Sequence, residues 1–180
     1  MGQVFFFSYK VEENALTGLQ RLFERSGSEG MIPKGEPVVV KLHMGERGNI
    51  RHLRPVLVRK VVDIIKSKGG HPFLFDTVAN YPGGRESKVK YLDTAARNGF
   101  VEATVNAPVV IADDKDDLQT IPVVNLLDDC EMKEIKVSSM LLKPPLLVLL
   151  SHVKGHGRTG FGGALKNLGM GCVSTLTKRA

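Results

Sequence analysis

The residues whose types and spacing best suit chemistry lie between Ser151 and Gly171. Seven of the chain's 19 glycines fall between Gly155 and Gly171. Glycine at this density lets backbone N–H groups turn toward a ligand without obstruction by Cβ. Lys154, Arg158 and Lys166 add full charges. A helix beginning near Gly162 or Gly163 would point its positive end into the same loop. Phosphate or carboxylate is the natural guest of such a loop, held between Gly155 and Asn167. The loop matches no complete phosphate fingerprint. Gly157 and Gly162 have the P-loop glycine spacing, but Gly163-Ala164 follows in place of Lys-Ser/Thr. Gly160-Phe161-Gly162-Gly163 completes no dinucleotide motif either.

His152 and His156 have His-x-x-x-His spacing. Metalloproteases use it on a helix, with Glu after the first His. Here Val153 takes that place, and Gly155 and Gly157 oppose a helix. Together with His43 the pair could offer three nitrogens to a metal. Hydrogen bonding to an anion fits these residues better, so no metal is assigned. Cys172 lies near cations that favour a thiolate nucleophile, but between Met170 and Val173 it reads as core. With Cys130 it makes only two cysteines. This chain alone therefore cannot supply the four thiolates of an iron–sulfur cluster, and no disulfide framework is present.

Strand-like and helical patterns alternate to position these residues. Val4 to Tyr9 reads as a first strand. A helix around Glu13 to Arg25 places Ala15, Leu16, Leu19, Leu22 and Phe23 on one face, and Gly27 stops it. Pro37 to Leu42 is a β-branched strand. Pro55 opens a helix buried through Leu57, Val58, Val61, Val62 and Ile65. Pro72 to Phe75 and Pro108 to Ala112 are further strands, separated by a helix marked by Val89, Leu92 and Ala96. Leu146 to Leu150 reads as the last buried strand. The expected fold is α/β, a mostly parallel sheet with helices packed on it. Residues 113–138 break the rhythm and read as a peripheral hairpin-like excursion on a single domain spanning 1–180. In such sheets ligands bind beyond the carboxyl ends of the strands. That rule gathers Lys41, His43, Asp76 and Ser151 at one edge with the glycine loop.

The formal net charge is +6, and its distribution is uneven. No Asp or Glu occurs from Ile135 to Ala180, whereas Asp113, Asp114, Asp116, Asp117, Asp128, Asp129 and Glu131 cluster just upstream. Such asymmetry steers anions to one end of a molecule. Nucleic acid is not expected, because the basic block lacks interleaved aromatics. No apolar run approaches the ~20 residues that span a bilayer, and the apolar start lacks a basic leader. The expected location is cytoplasmic.

Ser151-His152-Val153-Lys154-Gly155-His156, followed by Gly160 through Cys172, resembles the signature of domain-of-unknown-function family 362. Val40 through Glu46, Gly69 through Thr77 and Asn98-Gly99-Phe100 resemble it too, so the likeness covers nearly the whole chain. The resemblance implies an iron–sulfur association. Members commonly continue into a ferredoxin-like module with two four-iron four-sulfur clusters. This chain stops at Ala180, before any such module, and so reads as part of a longer protein or a member that lacks the module. The expected function is a redox-associated module working with a fused or separate ferredoxin. A small anionic ligand would be bound by Lys41, Ser151, Lys154, Gly155, Arg158, Gly162, Gly163, Lys166 and Asn167. His43, Asp76, His152 and His156 would orient it or move protons. The alternative is a non-redox binding or transfer domain for a phosphorylated or carboxylated small molecule.

Overall fold

A computed structural model describes residues 3–8, 14–124 and 131–180. Tyr9, Glu13, Asp128, Asp129 and Cys130 lie outside the described residues.

Helix α1, Ala15–Arg25, starts at Asn14, whose side chain accepts from Leu16 N–H, and Gly27 follows it in the left-handed region. Strand β1 is Pro37–Lys41 and β2 is His71–Thr77. Between them runs α2, Pro55–Ser67, with proline in its first turn, where no amide donor is needed. Helix α3, Lys88–Arg97, and the short α4, Glu102–Val105, lead into β3, Val109–Ala112. Strands β4, Leu118–Pro122, and β5, Glu134–Ser138, pair antiparallel away from the main sheet. The short α5, Ser139–Leu142, precedes β6, Leu146–Leu149. The main sheet has the order β3-β2-β1-β6, with every pairing parallel.

The central strands carry the core. Val38 and Val40 point into the larger cluster with Val58, Val62 and Ile65 of α2. Val39 and Phe75 face the other way, into a smaller cluster that Leu141 and Leu147 help cover. The parallel α/β sheet with a separate antiparallel hairpin is thus the expected fold.

Three expectations need correction. Described residues 3–8 form no strand. Val4 and Phe6 are exposed, and the Phe7 ring lies against α1 at Gly18, where a Cβ would collide with it. Phe7 thus packs on α1, and the segment joins no sheet ladder. Strand β6 is an edge strand, half-buried along its length, not a buried one. Helix α3 is rotated from its expected face. Tyr91, Thr94 and Ala95 are its buried residues, while Val89 and Leu92 are exposed. A polar anchor at Tyr91 explains that rotation, as the site shows.

Candidate functional site

Beyond the carboxyl ends of β1 and β2 opens a cleft of about 320 Å³. Its floor is a buried ion pair. Lys41 ends β1 and is 0% exposed. Its Nζ sits 3.0 Å from Asp76 Oδ1 and donates to Asn167 Oδ1 at 2.6 Å. Asp76, one residue past the strand partner of Lys41, is 3% exposed. It also accepts from Thr77 N–H at 2.9 Å and from the Tyr91 hydroxyl. That hydroxyl in turn accepts from Met44 N–H at 3.2 Å. A buried ion pair persists only when such extra hydrogen bonds satisfy both ions. Burial works against the Asp76 carboxylate, but Lys41, His43 and Tyr91 outweigh it and hold its pKa below the usual value. Burial, reinforced by Asp76, pushes the Tyr91 phenol well above its usual range. Tyr91 therefore stays a proton donor to Asp76, and this anchor turns α3 onto its observed face.

One wall comes from the loops after β1 and β2. Arg85 donates to Glu46 through Nε at 2.8 Å and through Nη2, and its Nη2 also reaches the Tyr81 hydroxyl. The guanidinium lies over the rings of Tyr81 and Tyr91, 5.7 and 5.3 Å from their centroids. His43 stands beside this clamp. Its Nδ1 accepts from Gly45 N–H at 2.9 Å, so the other ring nitrogen carries the proton when the ring is neutral. Burial, then Arg85, lowers its pKa to about 4. At neutral pH His43 is thus an uncharged hydrogen-bond donor and a poor base.

The opposite wall is a second hairpin, β7 (Lys154–His156) with β8 (Gly160–Gly162), and the helix α6, Ala164–Gly171, that follows it. Lys154, His156, Gly162, Gly163 and Lys166 line the cleft from this side. His156 Nδ1 accepts from the amides of Arg158 and Thr159, at 3.3 and 3.2 Å, which closes the turn. Burial and then Lys154 lower the pKa of Lys166. The last helix, α7 (Thr175–Arg179), brings in Lys178. Its Nζ donates to Thr77 Oγ1 and to the Val78 carbonyl, both at 2.6 Å. Burial lowers its pKa to about 8, with Asp76 pulling the other way.

Of the residues singled out in the sequence, His43, Asp76, His152, Lys154, His156, Gly162, Gly163, Lys166 and Asn167 line the cleft. Lys41, Ser151, Gly155 and Arg158 do not. Lys41 is sealed beneath the floor, where Asp76 and Asn167 take up its ammonium. Ser151 accepts from Asn167 Nδ2 at 3.0 Å and so holds α6 to the end of β6. Gly155 and Arg158 are exposed on the hairpin. The glycine loop is also not an open cradle between strand and helix. It folds on itself as β7–β8, with Gly160 in the left-handed region. Glu46, Tyr81, Arg85, Tyr91 and Lys178 were not singled out. Glu46 and Arg85 each sit in a loop at a strand's carboxyl end, but nothing in the spacing shows that they pair. Lys178 belongs to the acid-free basic stretch, and only the docking of α7 turns it toward the cleft.

Among the described residues, no three His, Cys, Asp or Glu side chains group as a metal site requires. Burial pushes the Cys172 thiol up to about 11, which makes it a poor thiolate ligand. With two cysteines in the whole sequence, the chain's own donors do not fit a four-thiolate cluster. Among the described residues no helix is long and apolar enough to cross a membrane.

Parallel α/β topology with a cationic cleft at the strands' carboxyl ends defines the general class. The chain belongs to the family described as Domain of unknown function (DUF362), whose model matches residues 38–180. The matched span includes every residue that lines the cleft. No curated protein and no solved structure matches the chain.

Proposed function

We propose that the cleft binds a small anionic metabolite bearing carboxylate or phosphate. One observation carries this reading: Lys154 and Lys166 face the cleft with no carboxylate partner among the described residues, while both cleft carboxylates are already engaged by other cations. Lys154 is exposed and Lys166 half-buried, and a partly enclosed cation such as Lys166 gains most from an anion that excludes water from it. His156 and His152 lie on the same wall as hydrogen-bonding groups, and neutral His43 adds a donor from across the cleft. Asp76 is tied to three partners and stays ionised, so its role is to fix the floor's charge, not to carry protons. In the redox setting implied by the family resemblance, this chain holds the anion and a ferredoxin, fused or separate, delivers electrons.

Calorimetric titration with phosphate- and carboxylate-bearing metabolites tests the reading. A charge-assisted hydrogen bond contributes ~1.5–3 kcal/mol. Lys166 is only half-buried, so the low end applies, and Lys166→Ala should weaken binding roughly tenfold. Its thermal midpoint should match wild type. If no anion binds wild type, or the variant binds equally well, the cleft is not an anion site centred on Lys166.

A further inference from the structure

The charges around the cleft do not cancel, and their placement is informative. The lining cations are Arg51, Arg85, Lys154, Lys166 and Lys178, against the carboxylates of Glu46 and Asp76. Arg85 takes up Glu46, and Lys41 takes up Asp76 from beneath. Arg51, exposed like Lys154, lines the cleft from the loop after β1. Three lysines line it as well, none with an ion pair among the described residues, and they reach the cleft from different elements. Lys154 and Lys166 come from the β7–β8 hairpin and α6, whereas Lys178 comes from α7 and is held at the end of β2.

We propose that the ligand carries two separated anionic groups, one held by Lys154 and Lys166 and the other by Lys178; this rests on the anion-binding reading above. A monoanion neutralises one group of lysines and leaves the other uncompensated. Lys178 is built for the second position. An ammonium has three donors, and Thr77 Oγ1 and the Val78 carbonyl use two of them. The Thr77 hydroxyl donates to the Gly171 carbonyl at 3.2 Å, so its lone pair is fixed toward Lys178. One donor of a pinned ammonium is thus left for the cleft. A volume near 320 Å³ is at the small end of ligand pockets, which run ~300–1,000 Å³. It suits a short dicarboxylate or a phosphorylated carboxylate. The groups around Lys178 also give a pH signature. Asp76 and Asp114 favour its charged form, while burial, Lys41 and Arg85 oppose it. A second anion beside it favours protonation, so dianion affinity should fall as pH rises through about 8.

The bland alternative is that Lys178 only ties α7 to β2. The two differ in a titration of the 180-residue chain with dicarboxylates from malonate to adipate and with phosphoglycolate. Butyrate and methyl phosphate serve as the matching single-headed ligands. At least one two-headed ligand should bind tighter than its single-headed counterpart by roughly tenfold or more. Lys178→Met should remove that advantage and leave butyrate affinity unchanged. Equal affinities in wild type overturn the inference while leaving the anion-binding reading standing, and so does a variant that loses nothing or loses both ligands equally. If no anion of either kind binds, both fall. Reductive methylation of wild type keeps the test independent of the variant's folding. Phosphoglycolate should protect Lys178 from modification and butyrate should not, and modification at the same rate in both overturns the proposal.

Discussion

Lys41 and Asp76 are the residues on which the site is built, and neither can be altered cheaply. Replacing Asp76 with Asn leaves the Lys41 ammonium buried without a counter-charge. Such a loss costs about 3–5 kcal/mol, measurable as a lower denaturant midpoint at neutral pH. Acid dependence gives the same residue a second signature. Its folded pKa lies below its unfolded value of ~3.9. Its contribution is therefore present above the unfolded pKa and lost as pH falls through the folded one. Asp76→Asn should accordingly flatten the acid limb of the stability profile, and an unchanged limb would rule out a dominant Asp76 contribution. Gly171 shows how tightly the pair is enclosed. A Cβ there would lie 2.8 Å from Lys41 Cε and 3.2 Å from Asp76 Oδ1. Gly171→Ala should lose ~1–3 kcal/mol by overpacking. Gly169→Ala, with open space around its Cβ, should be neutral or gain up to about 1 kcal/mol. Thermal melts of the two single variants compare the sites directly. If Gly171→Ala melts like wild type, the pair has room to shift.

At the scale of elements, the sheet was legible because its buried strands are β-branched runs bounded by turn residues, as in Val38-Val39-Val40. What patterning cannot show is where a polar side chain outweighs an apolar one. Val89 and Leu92 suggested one face for α3, yet the helix buries Tyr91, whose hydroxyl is bound to Asp76. The excursion after β3 was legible as a hairpin, but not its ties to the rest of the fold. Asp114 accepts from Thr175 N–H at 2.8 Å and from the Thr175 hydroxyl, so it braces the start of α7. Asp116 pairs with Lys88 at 3.0 Å. Bracing α7 also fixes Lys178, four residues beyond Ser174, whose side chain caps that helix. Asp114→Ala should cost about 1 kcal/mol, the usual value of a lost capping acceptor. It should also weaken dianions more than monoanions, because Lys178 loses its fixed position. Calorimetry with succinate and butyrate on this variant checks the coupling. Equal losses for the two ligands would show that α7 is braced without Asp114.

For the whole molecule, the absence of acidic residues from Ile135 to Ala180 proved more telling than the glycine motif within that stretch. Glycine density suggested a nest of amides, and the chain instead places Gly155, Gly157, Gly160 and Gly162 on a hairpin and Gly169 and Gly171 in α6. The run of uncompensated cations survived folding, because Lys154, Lys166 and Lys178 all face the cleft. Lys41 was legible as charged and near the site, but not as sealed, since only the approach of α6 covers it. A cleft lined by more cations than carboxylates, on a molecule of net charge +6, should act on anions before they arrive. Interactions beyond a screening length of ~10 Å at 0.1 M salt are damped, so salt should slow association more than it speeds dissociation. The effect should also grow with ligand charge. Raising NaCl at fixed pH should therefore weaken dicarboxylates by a larger factor than monocarboxylates, with the difference carried mainly by the association rate. Stopped-flow or surface-based kinetics with succinate and butyrate measure both rates. A salt effect confined to dissociation would mean that the lysines act only at contact, and one equal for the two ligands would mean that a single anionic group is read.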